Sequence, residues 1–200
     1  MTRSLGPALA LLLLATMSPA DDAPKPVRLA TGVSGHIHPA ACVTKSGTVL
    51  VTFSQSNYRD LRLSRSADGG KTWSAPVAFG HTAKLEIYPG SLTALADGRA
   101  VHAWNTWYTD AKGAKSRFVQ FSVSKDDGKT WDEPKSLPKN ESAFSVVRHP
   151  FIELSDEAWL FALSDRTVTY NPKTDAVTAF ADGTSHGLVP IVRTPKGTLV

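Results

Sequence analysis

The chain of 200 residues contains a single cysteine, Cys42, and only two methionines. One thiol excludes an internal disulfide, so an ordinary apolar core must hold the fold together. With 42% hydrophobic residues the chain has the material for one. Cys42 lies in the run Ala40-Ala41-Cys42-Val43 and reads as a buried thiol, not a nucleophile. No apolar run reaches the roughly 20 residues that a membrane-spanning helix needs. No helix-period segment of useful length follows residue 20. The 22 Lys and Arg against 18 Asp and Glu give a net charge of +4, but they form no basic stripe interleaved with aromatics. That excludes a nucleic-acid partner.

Residues 1–20 read as a signal peptide. Arg3 is the positive start, Ala8 to Ala15 the apolar stretch, and Ser18-Pro19-Ala20 the small residues before a cleavage site. The alternative is an uncleaved anchor. No Cys follows the apolar stretch, which argues against a lipoprotein. Residues 21–35 are a leader with Pro and Asp. The mature chain is expected to be secreted or periplasmic, without membrane association.

What the sequence does have is repetition. Ser66-Ala67-Asp68-Gly69-Gly70-Lys71-Thr72-Trp73 returns 58 residues later as Ser124-Lys125-Asp126-Asp127-Gly128-Lys129-Thr130-Trp131. Both follow short alternating runs, 61–65 and 119–123, and precede a Pro-containing stretch. This is a hairpin turn in which Asp bonds its own backbone and Gly supplies positive φ. A second repeat runs through Pro39, Pro89, Pro150 and Pro190, each followed by apolar residues, a turn and an apolar strand. Repeats of 40–61 residues with several strands each indicate a propeller-like array. The spacing predicts four-stranded units with strands near 40–45, 48–54, 61–65 and 75–79, then 90–95, 99–104, 117–123 and 134–138, then 150–154, 158–163, 167–170 and 176–180. A long loop is expected over 105–116. In the third unit Asn171-Pro172-Lys173-Thr174-Asp175 stands where the octapeptide would be. The chain stops inside a fourth unit, so residues 36–200 are expected to be the front part of a longer propeller.

The octapeptide S-x-D-x-G-K-T-W resembles the Asp box, or BNR repeat, of the sialidase-like (neuraminidase) superfamily. Ser66, Asp68, Gly70 and Trp73, and Ser124, Asp126, Gly128 and Trp131, carry the match. The resemblance implies an all-β, six-bladed propeller, of which about three and a half four-stranded blades are present. It also implies that the Asp boxes are folding devices on the rim away from the active centre. Catalytic members use an arginine triad on the substrate carboxylate, a Tyr activated by Glu as nucleophile, and an Asp in the first blade as acid/base. Where the first arginine belongs, this chain has His36-Ile37-His38-Pro39. Asp60 is the match for the acid.

In a four-stranded blade, the lead-in to the first strand and the loop between the second and third share one face. That face collects His36, His38, Asn57, Tyr58, Arg59 and Asp60 from the first unit. The second unit adds His81, Glu86, Tyr88, Asn105, Trp107, Tyr108 and Asp110. Arg148, His149, Asp165 and Arg166 come from the third, and His186 from the fourth. Asp60 is the catalytic candidate. His36, His38, Arg59, Glu86, Tyr88, Trp107, Arg148, His149, Asp165, Arg166 and His186 are the substrate-binding candidates. His38, Asp60, Tyr88, Arg148, Asp165 and His186 are expected to line one cleft. The histidines suit substrate hydrogen bonding, packing at strand starts, or a metal site with Glu86 or Asp165; no metal is assigned and no cofactor is expected. Arg148 and Arg166 either bind substrate or pair with Asp165 or Glu86. Trp107 and Tyr108 either stack on a sugar or cover the face.

Three readings of function follow. The first is a secreted sialidase-like glycoside hydrolase of exo-sialidase type acting on an acidic glycan. The second is a non-catalytic Asp-box propeller that binds glycans or proteins. The third is a metal-dependent enzyme using the histidines.

Overall fold

A computed structural model describes residues 25–56, 58–79, 86–109, 111–137, 146–164, 166–181 and 190–200. The expected signal peptide lies outside them, as do Asn57, His81, Asp110, Asp165 and His186. The protein is all-β: among the described residues there is no helix. Twelve strands follow in order: β1 Ala40–Val43, β2 Val49–Ser56, β3 Arg59–Ser66, β4 Val77–Ala78, β5 Glu86–Ala94, β6 Ala100–Thr109, β7 Lys115–Ser124, β8 Lys135–Ser136, β9 Ile152–Ser155, β10 Ala158–Ala162, β11 Thr167–Tyr170 and β12 Val177–Ala181. They form three antiparallel sheets of four consecutive strands each, β1–β4, β5–β8 and β9–β12. These are three successive blades of a β-propeller. Residues 190–200 start another hairpin, with the peptides of Val192 and Val200 exchanging hydrogen bonds at 2.9 and 3.0 Å.

The cores lie between blades. β6 explains how, because alternate side chains of a strand point to opposite faces. Ala100 and Trp104 join Leu50, Leu61, Leu63, Phe79, Ile87 and Leu92 in a cluster with the first blade. Val101 and Ala103 join Phe121, Val147, Phe151, Trp159 and Phe161 in a cluster with the third. A strand covered on both faces shows no polar alternation. His102 lies on the first face, fully buried, 4.9 Å from the Phe79 ring and 5.2 Å from the Trp104 ring.

The central hairpin corrects the expected loop over 105–116. β6 runs to Thr109 and β7 begins at Lys115, with Asn105 opposite Val119, Thr106 opposite Phe118 and Trp107 opposite Arg117. The polar residues that suggest a loop are partnered inside the sheet. Thr106 donates to Gln120 Oε1, and Asn105 bonds the peptide of Val147.

Both octapeptides form the same turn. Asp68 Oδ1 accepts from the Ser66 hydroxyl and the Thr72 N–H at 2.8 and 2.9 Å, and Oδ2 from the Thr72 hydroxyl at 2.6 Å. Asp126 repeats this with Ser124 and Thr130 at 2.9, 2.9 and 2.7 Å. The indole N–H of Trp73 donates to Gly70 O, and that of Trp131 to Gly128 O. These bonds hold both carboxyls far down, at a pKa of about 2. The turns differ at two positions, Ala67 against Lys125 and Gly69 against Asp127, the latter pair both left-handed with φ 72° and 59°. Asp127 also docks on the first blade: its carboxylate accepts from the Thr44 hydroxyl at 2.7 Å, and its C=O from Arg65 Nε at 2.6 Å. In the third blade Asp175 takes over, accepting from the Tyr170 hydroxyl and from Lys135.

Candidate functional site

The octapeptide turns follow the ends of β3 and β7, so the starts of those strands mark the opposite rim. Arg59 to Ser66 spans about 23 Å at 3.3 Å per residue. At that far rim, His36, Ile37 and His38 run beside β2, the Ile37 C=O accepting from the Ser54 N–H at 2.9 Å. Ser56 pairs with Arg59, so β2 and β3 join by a tight turn. Tyr58 in that turn has φ 54°, His38 has φ 35° and Asp60 φ 57°. Such backbone is uncommon for residues other than Gly, and bulky Tyr tolerates it least. The next blade holds Tyr58 in place, because its C=O accepts the Ile87 N–H at 2.7 Å. Sparse conformations held by their surroundings concentrate at functional sites.

Five rings meet here. His36 and Tyr58 lie parallel with centroids 5.1 Å apart, and His36 and His38 at 5.5 Å. Tyr88 is 4.2 Å from His38 and Trp107 is 5.2 Å from Tyr58. Two cations cover the ends: the Arg148 guanidinium is 4.9 Å from the Tyr88 ring centre, and that of Arg117 is 4.6 Å from Trp107. Tyr88, which is buried, shares a hydrogen bond between its hydroxyl and His38 Nδ1 at 3.0 Å. Burial, then Arg148 and His36, push the His38 pKa down. Burial raises that of Tyr88, with Arg148 acting in the opposite sense. His38 Nε2 and Trp107 Nε1 are buried without a hydrogen-bond partner among the described residues.

Asn105 sets the place of Arg148. Its Nδ2 donates to Val147 O and its Oδ1 accepts from Val147 N–H, each at 3.0 Å, so a buried side-chain amide grips the preceding peptide like another strand.

The structure therefore brings His36, His38, Tyr88, Trp107 and Arg148 together, along with Tyr58. Several placements differ from the sequence reading. Arg59 and Asp60 belong to β3, Glu86 and Tyr88 to β5, and Trp107 and Tyr108 to β6, because the pairing extends each strand to the rim. Arg59 lies 3.9 Å from Glu86 in an exposed ion pair, and Asp60 accepts from Arg62 at 2.7 Å. Glu86 thus pairs with Arg59, and Arg148 has no ion-pair partner among the described residues. His149 is half-buried beside Arg148. Arg166 lies in the β10–β11 turn, its C=O accepting from Leu163 N–H at 2.8 Å. Asp165 and His186 fall outside the described residues. No three His, Cys, Asp or Glu side chains among the described residues are grouped to hold a metal ion. Arg117 was missed by the sequence reading. Its signal is its register opposite Trp107, which appears only once the hairpin is extended.

No protein-family model matches the chain. A sialidase of Bacteroides fragilis (strain YCH46) is 28% identical over 154 residues, which cover 62% of this chain and 26% of that protein. The chain thus spans about a quarter of that relative's length. Among solved structures, a protein of unknown function from Dyadobacter fermentans DSM 18053 superposes with a TM-score of 0.57 at 19% identity, over 82% of this chain and 60% of that one. Penicillium chrysogenum alpha-L-arabinanase complexed with arabinobiose has a TM-score of 0.48 at 14% identity, over 80% and 51%.

Proposed function

We propose that the ring-lined rim is a carbohydrate site, and that the protein is a secreted, sialidase-like glycoside hydrolase acting on an acidic glycan. The observation that carries this is the cluster of His36, His38, Tyr58, Tyr88 and Trp107, flanked by Arg148 and Arg117. Aromatic faces suit the apolar faces of sugar rings, and a few placed polar groups fix orientation. A guanidinium with no carboxylate partner in the described protein suits an anionic group on the ligand. The similarity to the Bacteroides fragilis sialidase supports the same reading. Reading the two octapeptide turns as Asp boxes agrees with it, since they occupy the rim opposite the rings. Asp60 is the acid that the resemblance suggests. Asp165, Arg166, His149 and His186 are further substrate contacts on this proposal, and residues 1–20 direct export.

One observation favours non-catalytic glycan binding instead. The Asp60 carboxylate is engaged by Arg62, which occupies an oxygen that an acid/base needs free. Hydrolysis of a fluorogenic sialoside, measured beside binding to a glycan panel, separates the readings. Turnover that falls in Asp60→Ala and Arg148→Ala supports the hydrolase with these site residues. Binding without turnover supports the second reading, and neither binding nor turnover refutes both.

A further inference from the structure

Ring stacking alone does not require the hydrogen bond between Tyr88 and His38. We propose that Tyr88 is the acid/base of this site, with His38 positioning its hydroxyl and Arg148 stabilising its phenolate. This rests on the carbohydrate-cleaving reading and deepens it, because it moves the proton chemistry away from Asp60.

The geometry supports each role. Tyr88 Oη lies 3.0 Å from His38 Nδ1; on this proposal the neutral imidazole carries its proton on Nε2, so that Nδ1 is the acceptor that holds the hydroxyl rotor. His38 stays neutral because burial, Arg148 and His36 all oppose its protonation. Burial keeps Tyr88 protonated at neutral pH, which a general acid requires. The Arg148 charge, 4.9 Å from the ring centre, favours the phenolate once it forms. Among the described residues, the rim carboxylates Asp60 and Glu86 are both engaged, Asp60 by Arg62 and Glu86 by Arg59. Tyr88 and His38 are the proton-bearing pair in direct contact.

The step balances without a further reactant other than water. The Tyr88 hydroxyl turns from Nδ1 to the glycosidic oxygen and gives up its proton as the bond from that oxygen to the anomeric carbon breaks. The bonding electrons leave with the oxygen. A water molecule enters where the alcohol left. Its oxygen bonds the anomeric carbon, and its proton goes to the phenolate, restoring Tyr88. The products are the free sugar and the alcohol.

The experiment compares two sialosides with different leaving groups, 4-methylumbelliferyl sialoside and sialyllactose. An umbelliferone leaves readily without a proton, whereas a sugar hydroxyl does not, so loss of the acid must hurt sialyllactose more. A merely structural defect slows both alike. For Tyr88→Phe the account expects kcat on sialyllactose to fall about 10²–10⁴-fold, with a much smaller loss on the umbelliferyl substrate and a little-changed KM. His38→Leu should share this imbalance in weaker form, and His38→Gln, which keeps an acceptor, should restore much of the rate. If Tyr88→Phe does not fold, the two His38 variants carry the test. Equal loss on both substrates in Tyr88→Phe, unchanged turnover there, or equal rates in the two His38 variants overturns the proposal while leaving the hydrolase reading intact. Absence of turnover by the wild type removes that reading, and the catalytic role with it.

Discussion

The two octapeptide turns offer a paired test of how the blades are packed. Gly70 and Gly128 hold the same position, with φ 92° and 76°. An alanine at either place meets left-handed backbone, which costs about 1–2 kcal/mol. The stiffer unfolded chain returns part of that in both. The surroundings differ. A Cβ on Gly70 would touch only the Trp73 ring at 3.8 Å, an ordinary contact. A Cβ on Gly128 would lie 2.8 Å from Leu50 Cδ2 and 3.1 Å from Cδ1. Leu50 is fully buried in the cluster between the first two blades, so its methyl groups have no open space to move into. Overpacking of this kind adds about 1–3 kcal/mol. Gly128→Ala should therefore be less stable than Gly70→Ala by that difference, or about 2–12 °C in Tm for a chain of this size. Urea and thermal unfolding of the two variants side by side measure it. Equal losses would refute the packing of the second turn onto Leu50.

Acid should destabilise the protein in two stages. Burial holds His102 neutral down to a pKa of about 3, against about 6.5 in the unfolded chain. The unfolded state therefore binds more protons, and stability falls as pH drops from about 6.5 toward 3, with His38 acting in the same direction. Asp68 and Asp126 have folded values near 2, so their contribution is complete above about pH 4 and is lost as pH falls toward 2. Urea midpoints between pH 8 and 2 should show a shallower first stage in His102→Phe and a shallower second stage in Asp68→Asn. Asn105→Leu strands the N–H and C=O of Val147 inside the protein, and should cost about 2–4 kcal/mol in the same assay.

The fold was readable because its signals are local and repeated. Each octapeptide contains all the partners its own turn needs, from Ser66 to Trp73 and from Ser124 to Trp131. The strand order followed from the spacing of four prolines. The rim was harder. Asn105 and Thr106 read as a loop because their polarity is satisfied by partners further along the chain, Val147 and Gln120, which a single sequence does not display. The gathering of His38, Tyr88 and Arg148 was legible as a shared face, since strand direction alone sets it. The hydrogen bond between Tyr88 and His38 and the seat of Arg117 on Trp107 were not, because they depend on the register and backbone angles of two blades. The Asp60 ion pair was obscured for a similar reason. Arg62 reaches it because residues two apart share one face of β3, which requires that Asp60 already lie in the strand and not in the loop.

A crystal structure of the protein soaked with sialyllactose tests the central claim most directly. The account predicts a sugar ring against Tyr58 and Trp107, with the carboxylate of the sialic acid within hydrogen-bond reach of Arg148. A ligand bound at the octapeptide rim, or on this rim but away from all five rings, would contradict it.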